Sequence, residues 1–115
     1  KIPGTFILHG KALGINICED IWFPETVKLQ KKKGAEVIIN ISASPYSKGK
    51  IRTVEDLLNH RWEETKIPIV YVNQAGAQDG IVYYGHSIYF NHGKIAAKCR
   101  DFEEDIKIIE VHGLS

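Results

Sequence analysis

Three apolar runs, each closing on a polar cluster, constrain this chain more than any other feature of its sequence. Leu13, Ile15 and Ile17 alternate with Gly14, Asn16 and Cys18, the period of two that a half-buried strand imposes. Residues 37–41 and 69–72 are nearly continuous apolar, as expected of strands covered on both faces. Helical patterns stand between them. Pro24 suits a first helical turn, and Gly34 suits the left-handed residue that ends a helix. Further on, Ile51, Val54, Leu57, Leu58 and Trp62 are spaced for one helix face, with Arg52, Glu55, Asp56, Asn59 and Glu63 between them. Strands that alternate with helices indicate an α/β layered fold.

The flanking segments fit that reading. Residues 5–8 are β-prone, and His9-Gly10-Lys11 reads as a turn. Residues 42–50 read as a Ser-, Gly- and Pro-rich loop, and residues 74–80 as a polar, Gly-rich one. Residues 87–90 and 94–98 flank Asn91-His92-Gly93 as a hairpin, and residues 106–111 alternate as a last strand. No internal repeat or Pro/Ser linker divides the chain, so it reads as one domain or one piece of a domain.

Its 115 residues are near the commonest size of a single domain. A net charge of +1 argues against a nucleic-acid module, since phosphate binding needs a concentrated basic surface. No apolar run approaches the roughly 18 residues of a membrane span, and no signal-peptide pattern opens the chain. It begins at Lys1 and has no Met, which suggests a fragment. Two cysteines, Cys18 and Cys99, are too few for a disulfide scaffold. They read as reduced thiols in a cytoplasmic protein, with one bridge between them the open alternative. The five histidines are scattered without zinc-ligand spacing, so no metal site is expected. Lys31, Lys32 and Lys33 suit the negative end of a helix dipole better than an anion site.

Chemistry gathers at the strand ends. Cys18 is followed by Glu19-Asp20-Ile21-Trp22-Phe23-Pro24, a strand-to-helix turn. A nucleophile there is held rigid, with backbone N–H groups behind it to receive an oxyanion. Such a thiol needs a base, because a free cysteine is mostly protonated at neutral pH. Read from spacing alone, Cys18 is either that nucleophile or a small buried hydrophobe. The clusters at 40–46 and 73–79 close the next two strands. Ligands of α/β sheets bind beyond the carboxyl ends of the strands, although turn residues alone would explain both clusters.

A resemblance separates these readings. Asn-Ile-Cys-Glu-Asp-Ile-Trp at 16–22, Asn-Ile-Ser-Ala-Ser-Pro-Tyr at 40–46 with Gly49-Lys50, and Val-Tyr-Val-Asn-Gln at 70–74 with Gly76, Gln78 and Asp79 occur in that order. Together they resemble the glutamine-hydrolysing amidase domains of glutamine-dependent NAD synthetases, a branch of the nitrilase (carbon–nitrogen hydrolase) superfamily. The likeness runs from about Ala12 to about Ile95. It implies part of a four-layer α-β-β-α sandwich and a Glu–Lys–Cys triad with Cys18 as nucleophile. It further implies that Glu19 holds the α-ammonium of glutamine, that Ser44 and Lys50 bind its polar groups, and that Trp22 walls the pocket. A solvated Lys50 and a core-packed Trp22 remain the plainer alternatives. The family's base Glu and its Lys lie well upstream of the Cys motif, whereas no Glu precedes Cys18 here and Lys1 and Lys11 stand too close to it. Residues 80–87 also depart from the family's acidic, Gly-rich stretch.

The chain therefore resembles the C-terminal half of the amidase domain, without the upstream half and the synthetase domain, and is expected to be inactive alone. No cofactor is expected in it; ATP and Mg belong to the synthetase domain of the intact protein. The implied partners are glutamine, the two absent parts and further copies in a homo-oligomer, with no nucleic acid and no membrane. A stand-alone nitrilase-type amidase and a catalytically silent half-domain are the competing readings.

Overall fold

A computed structural model describes residues 4–8, 10–42, 49–73, 75–78, 81–84 and 86–99. Strand β1 (Gly4–Leu8) turns at Gly10, whose φ of +76° suits the residue without a side chain, into β2 (Lys11–Ile17). A 3₁₀ turn, Cys18–Trp22, follows and leads into α1 (Pro24–Lys32). Next come β3 (Val37–Ser42), α2 (Lys50–Thr65) and β4 (Ile69–Asn73). Two short strands, β5 (Ala75–Gln78) and β6 (Ile81–Tyr84), precede β7 (Ile88–Asn91) and β8 (Lys94–Lys98).

The main sheet has the order β1-β2-β3-β4-β7-β8, and β2, β3 and β4 run parallel. The carboxyl ends of β2, β3 and β4 therefore come to one edge of the sheet, as the sequence pattern predicts. Helix α1 opens on Pro24, carries Glu25 in its first turn and Lys31 and Lys32 in its last, and ends before Gly34 at φ +96°. The β7–β8 hairpin turns on His92 and Gly93, both at positive φ, as a primed two-residue turn requires.

Burial divides the sheet into two faces. Ile38, Ile69, Tyr71, Ile88 and Phe90 form one core with Val27 of α1 and Val54, Leu57 and Leu58 of α2. The other face carries Leu13, Ile15 and Ile17, then Val37, Ile39 and Ile41, then Val70 and Val72, set side by side by the register. Sequence predicts both faces of β3 covered, yet Ile41 is exposed. Both helices sit on one side, and the second face is the one a four-layer sandwich sets against its other sheet.

A second expectation is corrected as well. The loop predicted over 74–80 contains β5, which pairs antiparallel with β6. Small and polar residues are weak strand formers, but strand formation depends on the partner, and Ile-Val-Tyr-Tyr at 81–84 supplies one. The strand expected over 106–111 lies outside the described residues.

Candidate active site

Among the described residues, the turn at the carboxyl end of β2 is held by polar contacts from both the sheet and the helix layer. Cys18 opens it with φ +49°, a left-handed conformation that costs a non-glycine residue about 1–3 kcal/mol. The strand alternation therefore stops at Ile17, and the face assigned to Cys18 by period two does not apply. Its thiol is exposed and forms no disulfide with Cys99. The small buried hydrophobe is thus excluded for Cys18.

Three side chains hold the turn, one of its own and two from other elements. The Asp20 carboxylate accepts from the N–H of Ile17 at 3.1 Å, closing the turn on itself. From α2, Arg61 donates through Nε to the carbonyl of Ile21 at 3.0 Å and through Nη2 to that of Trp22 at 3.3 Å. From β3, Asn40 donates through Nδ2 to the carbonyl of Cys18 at 3.2 Å.

Asn40 belongs to a buried polar chain. Its Nδ2 also donates to Asn16 Oδ1 at 2.5 Å, and its Oδ1 accepts from Ser42 Oγ at 2.5 Å. Asn16 Nδ2 donates to Gln30 Oε1, and Gln30 Nε2 donates to the carbonyl of Ile15, both at 3.0 Å. Gln30 and Asn40 are 0% exposed and Asn16 is 2% exposed, so each amide must find its partners inside the protein. Along the same sheet edge Asn73 donates its N–H to Ser87 Oγ at 2.9 Å, and the buried His86 ring meets Glu55.

The residues singled out from sequence fall unevenly on this frame. Cys18 heads the turn, Glu19 is its second residue, and Trp22 ends it, packed against the core. Lys50 is the first residue of α2. Ser44 lies outside the described residues. Sequence reasoning placed Asn16 and Asn40 in motifs without giving either a role, and passed over Gln30 and Arg61. A signal existed for Arg61, which continues the buried stripe of Val54 and Leu58, because a cation on an apolar stripe is rarely left unpaired. Among the described residues, no group of three or more His, Cys, Asp or Glu is gathered for a metal ion. No helix among them is long and apolar enough to cross a membrane.

A mixed sheet with helices on one face and an exposed cysteine on a strained strand-to-helix turn defines the class. Residues 3–113 match the carbon-nitrogen hydrolase family, and the chain belongs to it. Within that family it is 42% identical over 106 residues to the glutamine-dependent NAD(+) synthetase of Aquifex aeolicus (strain VF5), a stretch that is 90% of this chain and 19% of that protein. It is 34% identical to the corresponding enzyme of Synechocystis sp., over 90% of this chain and 21% of that one. The chain thus spans about a fifth of these curated relatives. Its fold superposes with a TM-score of 0.84 on the glutamine-dependent NAD+ synthetase of Acinetobacter baumannii in complex with ADP, at 34% identity over 91% of this chain and 20% of that one. A cysteine-to-alanine mutant of the Nesterenkonia AN1 amidase, from the nitrilase superfamily, superposes with a TM-score of 0.78 at 25% identity, over 90% of this chain and 38% of that one. The architecture is part of a nitrilase-type four-layer α-β-β-α sandwich.

Proposed function

We propose that this chain is the C-terminal half of the glutamine-hydrolysing domain of a glutamine-dependent NAD synthetase, with Cys18 as its nucleophile. The observation that carries the reading is the exposed thiol of Cys18 on a left-handed turn clasped from three sides, in a chain whose similar proteins are glutamine-dependent NAD synthetases. A rigid, accessible sulfur with a backbone N–H behind it is what thioester chemistry needs.

In this reading a Glu outside these residues takes the proton of Cys18, and the thiolate attacks the side-chain amide of glutamine. The N–H of Glu19 and an upstream Lys receive the oxyanion. The Glu returns that proton to the amide nitrogen as the tetrahedral species collapses, so ammonia leaves and a γ-glutamyl thioester remains on Cys18, which water cleaves to glutamate and free thiol. The Glu19 carboxylate binds the α-ammonium of glutamine, Ser44 and Lys50 take its polar groups, and Trp22 borders the pocket. ATP and Mg serve a synthetase domain that uses the ammonia on deamido-NAD. The site of action is the cytoplasm, and the assembly is a homo-oligomer.

Cys18→Ala in the full-length gene product tests the reading. Glutamine-dependent NAD formation should be lost while ammonia-dependent formation persists, because free ammonia bypasses the thioester. Loss of both together would make Cys18 structural. The likeness to the Nesterenkonia amidase favours a second reading, a stand-alone amidase with another amide substrate. That reading predicts turnover of simple aliphatic amides and no NAD formation from either nitrogen source.

A further inference from the structure

We propose that Asn40 is a positioning residue for the oxyanion site, acting through the peptide that joins Cys18 to Glu19. The inference rests on the reading of Cys18 as nucleophile. The carbonyl of Cys18 and the N–H of Glu19 belong to one planar peptide unit, and no cis peptide bond is present among the described residues. In a trans peptide the two groups point in opposite directions. Asn40 Nδ2 holds the carbonyl at 3.2 Å on the interior side, so the N–H is aimed away from the buried chain. That N–H is the donor on which the proposed oxyanion depends.

The hold is directional, and the chain of amides makes it so. The carbonyl of Ile15 can only accept, so Gln30 must present Nε2 to it and Oε1 to Asn16. Asn16 must then donate with Nδ2 and accept with Oδ1, which requires Asn40 to bring its Nδ2 to that side. The two hydrogens of Asn40 Nδ2 are divided between Asn16 Oδ1 and the carbonyl of Cys18, and its Oδ1 is filled by the Ser42 hydroxyl. Turning the Asn40 amide over would set Oδ1 against two acceptors at a fully buried position. The donor is locked onto Cys18. The left-handed backbone of Cys18 needs such an outside restraint, because its own φ of +49° is unfavourable for a residue with a Cβ. A carbonyl that accepts a hydrogen bond also polarises its peptide, which makes the N–H of Glu19 a stronger donor.

The test is steady-state glutamine hydrolysis by the full-length gene product carrying Asn40→Leu, alongside iodoacetamide labelling of Cys18 followed by peptide mass spectrometry. Alkylation forms no oxyanion, so it reports the thiol and the fold of the turn without the proposed role. The expected result is a kcat lower by about 10²-fold, the usual cost of a lost oxyanion donor, with KM and the alkylation rate unchanged. A folded Asn40→Leu protein with normal kcat overturns the proposal. So does a parallel fall of kcat and alkylation, which would make Asn40 a purely structural residue. If Asn40→Leu does not fold, Ser42→Ala decides, since it removes the bond to Asn40 Oδ1 that helps to hold the amide in place. It should lower kcat about fivefold, the equivalent of one hydrogen bond, at unchanged KM, and a normal kcat there overturns the proposal. Glutamine hydrolysis surviving in Cys18→Ala would instead sink the nucleophile reading. Loss in Cys18→Ala with silent Asn40 and Ser42 variants would sink this inference alone.

Discussion

Arg61 in α2 is tied to Ile21 across forty residues of sequence, its Nε donating to the Ile21 carbonyl at 3.0 Å. The same guanidinium meets the carbonyl of Trp22 and, through Nη1, the carboxylate of Glu64 at 2.6 Å. Carbonyls at the end of a helical turn carry its negative partial charge, so the cation is matched to what it touches. The helix layer thus grips the far end of the turn that Cys18 begins, while Asn40 in the sheet grips its near end.

Replacing Arg61 tests that grip. Arg61→Leu keeps apolar bulk but removes both bonds to the turn. Hydrogen bonds from a charged donor are worth about 1.5–3 kcal/mol each, and some of that is regained by burying the leucine. The expected loss is about 2–3 kcal/mol in urea unfolding. Arg61→Lys, lacking the planar fork, should recover less than half of it. Full recovery with lysine would show that charge alone holds the turn.

Gly14→Ala should also destabilise. A Cβ at Gly14 would stand 2.8 Å from Ile38 Cδ1, 3.1 Å from Gln30 Cδ and 3.2 Å from the Cβ of Ala35. Ile38 and Gln30 are fully buried, and Ala35 Cβ moves only with its backbone. Overpacking of this kind costs about 1–3 kcal/mol, more than the roughly 0.5–1 kcal/mol gained by stiffening a glycine. A lower thermal midpoint is expected, and an unchanged or raised one would mean that α1 sits farther from the sheet.

The main sheet and both helices were legible in the sequence: β2 and α2 from periodicity, β3 and β4 from unbroken apolar runs, and α1 from Pro24 and Gly34 at its ends. Leu13, Ile15 and Ile17 announce a strand by alternation, and Val54, Leu57 and Leu58 announce a helix face. The hairpin at His92-Gly93 was legible from turn chemistry. Strand β5 was not, because its Ala-Gly-Ala-Gln has no strand signature and forms only with β6 as partner. Cys18 stood out as a nucleophile candidate from its place after an alternating run. The groups that hold it did not, because Asn40 and Arg61 meet the turn, and Gln30 meets Asn16, only through long-range packing. Asn16 and Asn40 lie 24 residues apart and are brought opposite each other by parallel register. Periodicity sorts residues into inside and outside; it carries no information on which buried amide meets which.

The open face of the sheet gives a prediction about association. Ile17, Ile41 and Val72 are neighbours on three adjacent strands and are 52%, 49% and 42% exposed. A contiguous apolar row of this kind drives association unless something covers it. The 115-residue chain produced by itself is therefore expected to sediment as dimers or larger species as its concentration rises. Ile41→Lys, at the centre of the row, should shift it toward monomer without loss of helix by circular dichroism. A wild-type chain that stays monomeric at high concentration would contradict the prediction.

The last prediction sets backbone strain against a buried polar contact. His86 is 1% exposed, holds φ +56°, and brings Nε2 within 2.5 Å of Glu55 Oε2. His86→Gly relieves a left-handed conformation worth about 1–2 kcal/mol. It also deletes a buried ring and its bond to Glu55. The hydrogen bond alone accounts for about 1–3 kcal/mol, and emptying a ring-sized site typically adds several more. Loss should exceed relief, leaving His86→Gly less stable by about 2–4 kcal/mol in urea unfolding. His86→Asn separates the two contributions, since asparagine tolerates the left-handed region and keeps a polar group but does not fill the ring's volume. It should fall between wild type and His86→Gly. If His86→Gly proved as stable as wild type, the contact with Glu55 would contribute nothing beyond offsetting the strain at His86.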